Sequence, residues 1–443
     1  MVTAAALPKQ GSHACPALFI AAPASGQGKT SVTAALARLF ARQGLRVRVF
    51  KCGPDFLDPQ IHAIASGNPC CNVDLWMCGA DDAARRLHAA AAESDLILVE
   101  GVMGLFDGQP SGADLARRFN IPVLAVIDAR AMAQTFAAIA FGLKVYQPDL
   151  PFAGVLANRV GSPGHATLLK DALPADIAWY GAIPRLDTAT LPERHLGLLQ
   201  AAEIDDLLVR LDCLADALAA SAMAALPAPV EFVGPEDGQA VTPVLQGQRI
   251  AIARDAAYGF IYPANLETLQ ELGAELRFFS PLAGDALPEC DAVWLPGGYP
   301  ELHAEHLSQR ADLWQALAAH VGASKPLLAE CGGMMSLFET LVDRDGKVHR
   351  LAGLLPGRTT MQAKLAALGG QEVPLPEGAV RGHTFHYSLC ETELTPVCHA
   401  VRQGARAAAT PGERVFRRQR LTASYVHLYF PSNPAAIAAL FSA

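Results

Sequence analysis

The chain has 443 residues, of which 51% are hydrophobic and 18% are charged, and its formal net charge is −8. This length exceeds one ordinary domain, so we expect two or three domains with a large apolar core. The acidic balance argues against a surface that binds nucleic acid. No run of about 18 uninterrupted apolar residues occurs, so the sequence predicts no membrane-spanning helix.

Ten cysteines are scattered along the chain, and none of them forms a C-x-x-C pair. Neither a zinc site nor a disulfide framework is therefore predicted. Small buried thiols are typical of a reducing compartment. Residues 1–16 lack the charged start and the apolar stretch of a signal peptide. We therefore expect a cytoplasmic protein whose residues 1–16 form a disordered tail.

The first predicted strand, 17–22, leads into a loop that carries Gly26 and Gly28 and ends in Lys29 and Thr30. The N–H groups of such a loop can face a polyphosphate, and the lysine can neutralise its outer charge. The threonine hydroxyl can ligate Mg²⁺. The sequence therefore predicts a site for a nucleoside triphosphate.

Helical periodicity follows over 31–43, and Gly44 is placed where a helix-terminating glycine belongs. The one departure from the pattern G-x-x-x-x-G-K-[ST] is Pro23, which replaces the first glycine. Because a strand precedes the loop and a helix follows it, the phosphate-binding interpretation is preferred to a simple glycine-rich turn.

Two acids, Asp55 and Asp58, follow the second predicted strand at 46–50. Ligands collect at the carboxyl ends of parallel strands. Asp55 is therefore predicted to ligate Mg²⁺. Asp58 has two interpretations, a magnesium ligand or the N-cap of a helix whose first position is Pro59.

A buried strand predicted at 96–100 ends in Glu100, after a polar-faced helix predicted at 81–92. A single acid at the end of a strand that follows a phosphate loop is typical of the residue that holds Mg²⁺ or its water. Glu100 is therefore our third candidate for the magnesium site.

Further apolar runs predict strands at 122–127, 152–157 and 177–184. Strands that are continuously apolar and alternate with helices indicate a parallel sheet covered on both faces. Asn158 follows one of these strands, where it could read the edge of a purine base or form an Asx turn. We favour the first interpretation.

The chain between the two halves is helical in pattern over 196–225 and rich in proline and glycine over 226–247. We therefore predict an ATP-binding domain at 17–225, a linker at 226–247 and a second domain at 248–443. The second domain is predicted to have strands at 249–253, 276–279, 291–295 and 326–329, and helices at 264–272 and 301–321.

Cys331 lies directly between a predicted strand and Gly332-Gly333. A nucleophile on such a strand-to-helix turn is exposed on strained backbone, at a helix N-terminus that lowers the pKa of a thiol. The base that such a thiol needs is best supplied by His427, and His383 and His386 are further candidates.

An oxyanion hole would complete this site. Backbone N–H groups of Gly298, in the Gly297-Gly298 turn, and of Gly332 are predicted to form it.

Eight motifs together carry a family resemblance that covers residues 16–440. In these motifs the chain resembles the corrin-ring a,c-diamide synthases of cobalamin biosynthesis, which amidate cobyrinic or hydrogenobyrinic acid. The motifs are AAPASGQGKTSVT, FKCGPDFLDP, VEGVMGLFDG, VLANRV, LPGGYPE, AECGGMM, RGHTFHYS and SYVHLYF.

This resemblance implies an α/β protein with two domains. The N-terminal domain would be a parallel phosphate-loop sheet similar to dethiobiotin synthetase, and the C-terminal domain would resemble class I glutamine amidotransferases. Cys331 would attack the glutamine carboxamide with His427 as its base. The wider class carries a glutamate two residues after that histidine; Tyr429 stands there in this chain, so a catalytic dyad is implied.

The resemblance also implies ligands for the N-terminal residues. ATP would be bound by Gly26, Gly28, Lys29, Thr30 and Asn158. Mg²⁺ would be held by Thr30, Asp55 and Glu100. The corrin carboxylate would lie against Phe56, Leu57 and Asp58.

Other functions remain open at this stage. Another tetrapyrrole, such as a nickel-containing one, could be the substrate, whereas cobyric acid synthase would have a longer chain. A switch ATPase of the ParA/MinD type usually has a second lysine early in its phosphate loop, and residues 22–28 contain none. Such an ATPase, or a dethiobiotin synthetase, would not need the half of the chain that carries Cys331. The expected partners are a corrinoid, glutamine and ATP. The expected assembly is a homodimer.

Overall fold

Two units make up the chain, residues 1–238 and 239–443. The computed structural model describes residues 11–186, 191, 193–194, 197–198, 200–235, 242–404 and 411–442. In this described part, none of the helices combines the length and the apolar character that a bilayer-crossing segment requires.

A parallel sheet forms the first unit, with strand order β3-β2-β4-β1-β5-β6-β7. The strands are β1 (Ser12–Ala21), β2 (Val47–Cys52), β3 (Cys71–Val73), β4 (Leu96–Glu100), β5 (Val123–Asp128), β6 (Phe152–Val160), β7 (Trp179–Pro184), β8 (Glu193–Arg194), β9 (Gly197–Leu198) and β10 (Pro229–Val233). The helices are α1 (Lys29–Arg42), α2 (Leu57–Ser66), α3 (Ala80–Glu93), α4 (Gly112–Arg118), α5 (Thr135–Val145), α6 (Pro163–Asp171) and α7 (Leu207–Ala219).

Continuous apolar strands explain why this sheet is covered on both faces. Every residue of β4 and β5 is buried. Along β1 the side chains alternate between two apolar clusters, with Phe19 in one and Leu18 and Ile20 in the other. The predicted parallel sheet is therefore confirmed, and its carboxyl edge brings the loops after β1, β2, β4 and β6 together.

Helix α1 begins at Lys29, two residues before the predicted start, because left-handed Gly28 ends the loop directly before it. At the other end of α1, the N–H of Gly44 donates to the carbonyl of Ala41. The φ of Gly44 is +85°, a conformation that favours glycine. Gly44 therefore terminates the helix as predicted.

The predicted tail and linker are wrong where the structure describes them. Residues 12–16 form the start of β1 and pair antiparallel with β10, which lies inside the predicted linker. Val230 and Phe232 of β10 are buried at alternating positions. Residues 242–247 include Leu245, which packs in the second unit. Residues 1–10 and 236–241 lie outside the described residues.

The helical run predicted at 196–225 is shorter in the structure. Helix α7 covers only Leu207–Ala219, and 3₁₀ turns at Ala201–Glu203 and Ala222–Ala224 flank it. Residues 195, 196 and 199 lie outside the described residues.

The second unit is built on a sheet of order β12-β11-β13-β14-β24-β23-β21 and on two four-stranded sheets, β16-β15-β17-β20 and β22-β18-β19-β25. Its strands are β11 (Arg249–Ala253), β12 (Glu275–Phe279), β13 (Ala292–Leu295), β14 (Leu327–Glu330), β15 (Phe338–Val342), β16 (Val348–Arg350), β17 (Leu355–Met361), β18 (Ala367–Leu375), β19 (Gly378–His386), β20 (Ser388–Glu391), β21 (Cys398–His399), β22 (Val401–Arg402), β23 (Arg414–Arg418), β24 (Leu421–Ser424) and β25 (His427–Leu428). Its helices are α8 (Pro263–Glu271), α9 (Ala304–Leu307), α10 (Ala311–Gly322), α11 (Gly332–Met335) and α12 (Pro434–Phe441).

One long helix predicted at 301–321 is three shorter pieces, a 3₁₀ turn at Pro300–His303 followed by α9 and α10. The break before α10 is fixed by Arg310, whose buried guanidinium donates to the carbonyls of Pro281 and Asp285 and pairs with Asp312. Apolar periodicity continues across this break, so the sequence pattern does not reveal it.

Candidate active sites

The phosphate loop of the first unit depends on glycine at two left-handed positions. The φ angles of Gly26 and Gly28 are +76° and +96°. A Cβ atom on Gly28 would lie 2.2 Å from Nδ2 of Asn158. That amide donates to the carbonyl of Gln27, and Oδ1 of Asn158 accepts from the N–H of Arg159 at 2.9 Å. Asn158 therefore binds the backbone of the phosphate loop. Its recognition of a purine base remains a prediction.

Lys29 reaches back over the loop that precedes it. Its Nζ donates to the carbonyl oxygens of Ala24, at 3.2 Å, and Met103, at 2.6 Å. Burial lowers the pKa of Lys29, and the nearby Glu100 carboxylate partly opposes this effect. The ammonium group is thus held by the backbone beside the loop, where a phosphate would lie.

Glu100 is fully buried and receives three partners. Thr30 Oγ1 donates to Oε1 at 2.8 Å, Lys51 Nζ lies 3.1 Å from the same oxygen, and His62 Nε2 pairs with Oε2. Burial alone would raise the pKa of Glu100, but Lys51 and His62 outweigh it and hold the pKa at about 2. Glu100 is therefore a carboxylate at neutral pH.

Lys51 is a buried cation in the middle of these acids, and the sequence analysis assigned it no role. Its Nζ lies 2.5 Å from Oδ2 of Asp58 and 3.7 Å from Oδ2 of Asp55. Burial opposes its charge, but Asp58 and Glu100 raise the pKa of Lys51 well above its usual value. A lysine near the end of a buried strand was the one sequence signal for it.

Asp55, rather than Asp58, accepts hydrogen bonds from the first N–H groups of the helix that follows β2. Helix α2 begins at Leu57, and Oδ1 of Asp55 accepts from the N–H groups of Leu57 and Asp58 at 2.8 and 3.1 Å. The N-cap interpretation of Asp58 is therefore wrong, because its carboxylate pairs with Lys51. Burial, and then the charge of Asp58, raise the pKa of Asp55 to about 7.

These side chains line one cavity of about 430 Å³. Of the residues predicted for ATP, Mg²⁺ or the corrin, the structure brings eight to its wall, and Phe56 and Asn158 lie outside the lining. The eight are Gly26, Gly28, Lys29, Thr30, Asp55, Leu57, Asp58 and Glu100. Lys51, Met103 and Arg159 also line it and were not predicted.

The oxygen donors in this cavity fit Mg²⁺. Mg²⁺ keeps several waters and is held by one or two carboxylates together with substrate phosphates. Thr30 Oγ1 and the Glu100 carboxylate lie side by side, and Asp55 lines the same cavity. Within the described residues no group of three His, Cys, Asp or Glu side chains could bind a metal without such help.

The turn at Cys331 has the sharp geometry predicted for a nucleophile. Its φ and ψ are 45° and −108°, between β14 and α11, and its N–H donates to the carbonyl of Ser424 at 2.8 Å. Glycine is needed at both following positions. A Cβ atom on Gly332 would lie 2.8 Å from the carbonyl oxygen of Gly298, and one on Gly333 would lie 2.1 Å from that of Leu295.

The pKa of the Cys331 thiol is raised, contrary to the prediction that the helix N-terminus lowers it. Burial is the largest cause, and the carboxylate of Glu301 is the next. The N–H of Gly332 acts in the opposite direction but is outweighed. In the free enzyme the thiol is therefore protonated at neutral pH and needs a base.

Replacing Glu301 by glutamine is expected to make Cys331 more reactive. Burial raises the pKa of Glu301 to about 7, so above that pH its negative charge opposes the thiolate. Removing the charge lowers the thiol pKa, and alkylation of Cys331 by iodoacetamide near about pH 9 should be about tenfold faster. Peptide mapping by mass spectrometry isolates Cys331. Glu305→Gln is the control, because Glu305 forms an exposed pair with Lys347, and it should leave the alkylation rate of Cys331 unchanged. An alkylation rate in Glu301→Gln that is equal to or slower than that of the wild type would contradict the expectation.

His427 lies in β25, opposite His383 of β19. The two imidazoles stack with centroids 5.0 Å apart and planes at 19°, and Phe260 lies 6.0 Å from His427. Burial, followed by the charges of His383 and His386, lowers the pKa of His427 well below its usual value. The imidazole is therefore neutral at neutral pH.

The other two histidines of RGHTFHYS have their own partners. His383 Nδ1 lies 2.8 Å from the hydroxyl of Tyr262. His386 Nε2 lies 3.1 Å from Oε1 of Glu413, and its Nδ1 lies 2.8 Å from the carbonyl of Ser388. His427 therefore stays our candidate for the base.

The Gly297-Gly298 turn lies between the nucleophile turn and the histidine. A Cβ atom on Gly297 would lie 2.1 Å from Cε1 of His427, and one on Gly332 would lie 3.0 Å from the nitrogen of Gly298. The structure thus brings both residues predicted for the oxyanion hole together beside Cys331.

Replacing Gly297 by alanine is expected to displace the His427 imidazole and lower glutaminase activity about 100-fold. Amidation supported by ammonium salts should be retained, because the predicted role of His427 is limited to glutamine hydrolysis. Gly322→Ala is the matched control, since a Cβ atom there meets nothing within 4 Å. Glutamine hydrolysis is the measurement, and normal hydrolysis by Gly297→Ala would show that the turn does not support the base.

Comparison with known proteins identifies both halves of the chain and the family to which it belongs. Residues 18–199 match the family described as CobQ/CobB/MinD/ParA nucleotide binding domain, and residues 249–435 match the CobB/CobQ-like glutamine amidotransferase domain. The chain is 60% identical over 429 residues to a hydrogenobyrinate a,c-diamide synthase of Stutzerimonas stutzeri strain A1501, covering 97% of this chain and 99% of that protein. The chain belongs to the a,c-diamide synthase family.

Other members of the a,c-diamide synthase family are similar over nearly their whole length. A hydrogenobyrinate a,c-diamide synthase of Pseudomonas aeruginosa is 59% identical, with 97% of this chain and 98% of that protein covered. A cobyrinate a,c-diamide synthase of Herminiimonas arsenicoxydans is 50% identical, with 96% of each covered. Family membership confirms the resemblance and favours a glutamine-dependent amidating ligase over a switch ATPase or a dethiobiotin synthetase.

Proposed function

We propose that this enzyme amidates the a and c acetate carboxylates of hydrogenobyrinic or cobyrinic acid, using ATP and glutamine. The observation that carries the proposal is full-length similarity to a,c-diamide synthases in a chain with a phosphate-loop site and a cysteine–histidine site. The two relatives near 60% identity are both hydrogenobyrinate enzymes. Hydrogenobyrinic acid is therefore the first substrate to test.

The first site would activate the carboxylate. A carboxylate is a poor acylating agent, and transfer of the γ-phosphoryl group of ATP converts it into an acyl phosphate. Gly26, Gly28 and Lys29 hold the phosphates, and the Lys29 ammonium stabilises the charge that develops during transfer. Leu57 and Asp58 line the cavity beside this loop, with Phe56 next to them in the chain, and would bind the corrin carboxylate.

The magnesium ligands in this proposal are Thr30, Asp55 and Glu100. Mg²⁺ supplies charge neutralisation between the phosphate oxygens when it is bound. The residues act by orientation: Lys51 pairs with Asp58 and Glu100 and holds them in place, and Glu100 accepts from the Thr30 hydroxyl.

The second site would release ammonia from glutamine. The Cys331 sulfur attacks the carboxamide carbon while His427 takes the thiol proton and returns it to the leaving ammonia. The N–H groups of Gly298 and Gly332 stabilise the oxyanion. Water then hydrolyses the glutamyl thioester to glutamate, and the ammonia attacks the acyl phosphate and displaces phosphate. Two rounds give the diamide.

Product analysis tests this proposal. We expect hydrogenobyrinic or cobyrinic acid, incubated with ATP, Mg²⁺ and glutamine, to gain two amides, which mass spectrometry detects as two exchanges of hydroxyl for amino groups. Omission of ATP should abolish the product. If neither substrate is amidated when all components are present, the proposal is contradicted.

We also infer a cytoplasmic location, because the ten cysteines, which all lie in the described part of the chain, form no disulfide and the reaction consumes ATP. The homodimer remains a prediction.

A further inference from the structure

In the wider amidotransferase class that the chain resembles, a glutamate stands two residues after the histidine. The residue two positions after His427 is Tyr429, which is fully buried and packs edge-to-face against Tyr262 with ring centroids 5.5 Å apart. We therefore ask which other side chains hold the segment that carries His427, and two of them bind Leu428.

Glu330 has a buried carboxyl group that contacts this segment. Its Oε1 accepts from the backbone N–H of Leu428, the residue after His427, at 2.8 Å. Its Oε2 accepts from Nε1 of Trp294 at 2.9 Å. Only 2% of Glu330 is exposed, so water does not compete for either bond.

A second buried side chain binds the next peptide of the same segment. Nδ2 of Asn265 donates to the carbonyl of Leu428, and Oδ1 of Asn265 accepts from the N–H of Phe430, each at 2.8 Å. Asn265 is 1% exposed. Both backbone groups of the residue after the histidine are thus fixed by side chains from β14 and α8.

The carboxylate of Glu330 acts away from the reacting atoms. Side chains alternate along β14, and Ala329 and Cys331 pack in one apolar cluster whereas Leu328, Trp294 and Leu428 belong to another. A carboxyl group among such apolar neighbours is costly unless it is hydrogen-bonded, and burial raises the pKa of Glu330 to about 8. Its retention there is explained by the two N–H groups that it satisfies.

We propose that Glu330 is the positioning residue of the glutaminase site, tying the nucleophile turn to the segment that carries the base. Its backbone is bonded directly to Cys331, and its side chain binds the peptide that follows His427. One residue therefore links the nucleophile to the segment that carries the base. Asn265 assists Glu330 by binding the carbonyl of Leu428 and the N–H of Phe430.

Glu330→Gln tests the inference, which rests on the proposed roles of Cys331 and His427. The amide retains one oxygen, so one of the two N–H groups loses its acceptor while side-chain volume is preserved. We expect kcat for glutamine hydrolysis to fall about 10- to 100-fold, with KM for glutamine within about twofold of the wild type. Ammonium-supported amidation should be unchanged.

Two further variants keep the test decisive. Asn265→Asp can no longer donate to Leu428, so it should give the same loss of kcat, and the double variant should lose less than the product of the two single losses. Glu339→Gln is the matched control, because Glu339 accepts from one backbone N–H, that of Gly357, at an exposed position, and it should not alter hydrolysis.

Two results would overturn the inference. One is a glutaminase kcat within about twofold of the wild type in both Glu330→Gln and Asn265→Asp. The other is an equal loss of ammonium-supported and glutamine-supported amidation, which would indicate a general structural role. Failure of the proposed function itself is distinguishable, because then Cys331→Ala would leave glutamine hydrolysis intact.

Discussion

Cys331→Ala is expected to reduce glutamine-dependent amidation by at least about 1000-fold, since the nucleophile that forms the thioester is lost. Amidation supported by ammonium salts should continue near the wild-type rate, because the phosphate-loop site of the other unit is unaltered. The measurement is the rate of diamide formation with each nitrogen source, followed by chromatography and mass spectrometry.

Cys290→Ala is the control for this prediction. Cys290 is a buried cysteine of the same unit, and its thiol faces His320 at 3.8 Å rather than His427. Its loss should leave both activities within about twofold. If ammonium fails to rescue Cys331→Ala while Cys290→Ala is normal, the assignment of ammonia release and amidation to separate sites is wrong.

Glu100→Gln is expected to lower ATP-dependent amidation by about 100-fold or more with either nitrogen source. The substitution keeps the shape of the side chain but removes the charge that balances Lys51, and it alters the contacts with Thr30 and His62. Glutamine hydrolysis should survive in part, because Cys331 and His427 belong to the other unit. Parallel assays of diamide formation and glutamate release measure the two effects.

Asp95→Asn is the matched control, since Asp95 precedes the same strand at its opposite end and pairs with Arg46 at the surface. It should leave amidation unchanged. An unaltered amidation rate in Glu100→Gln would remove Glu100 from the proposed magnesium site. A thermal melt of both variants separates loss of function from loss of folding.

The regular elements near both sites could be predicted because their signals are local. The strands at 96–100 and 249–253 have the predicted bounds, since each is a continuous apolar run. The turn at Cys331 could likewise be read from a strand followed by two glycines. Such features depend on neighbours in the sequence, which a pattern displays directly.

The features that sequence reasoning missed depend on residues far apart in the chain. Residues 12–16 became a strand because 229–233 pair with them, more than 200 positions away. Lys51 and Glu330 look like isolated charges next to apolar strands. Their roles emerge only when three acids close around one and the peptide after His427 meets the other.

The pKa of Cys331 shows a further limit of local rules. A helix N-terminus lowers the pKa of a thiol when the helix is long and the thiol is partly exposed. Here α11 has four residues, and burial together with Glu301 decides the result. Burial is a property of the folded unit and cannot be read from the residues around the cysteine.

Isotope transfer tests the coupling of the two sites most directly. With glutamine labelled with nitrogen-15 in its amide as the only nitrogen source, hydrogenobyrinic acid, ATP and Mg²⁺, we predict a diamide that carries the label in both new amides. Cys331→Ala, given the same labelled glutamine and unlabelled ammonium, should form an unlabelled diamide. A labelled product from Cys331→Ala, or a wild-type diamide without label, would contradict the release of ammonia at Cys331 and its use at the phosphate-loop site.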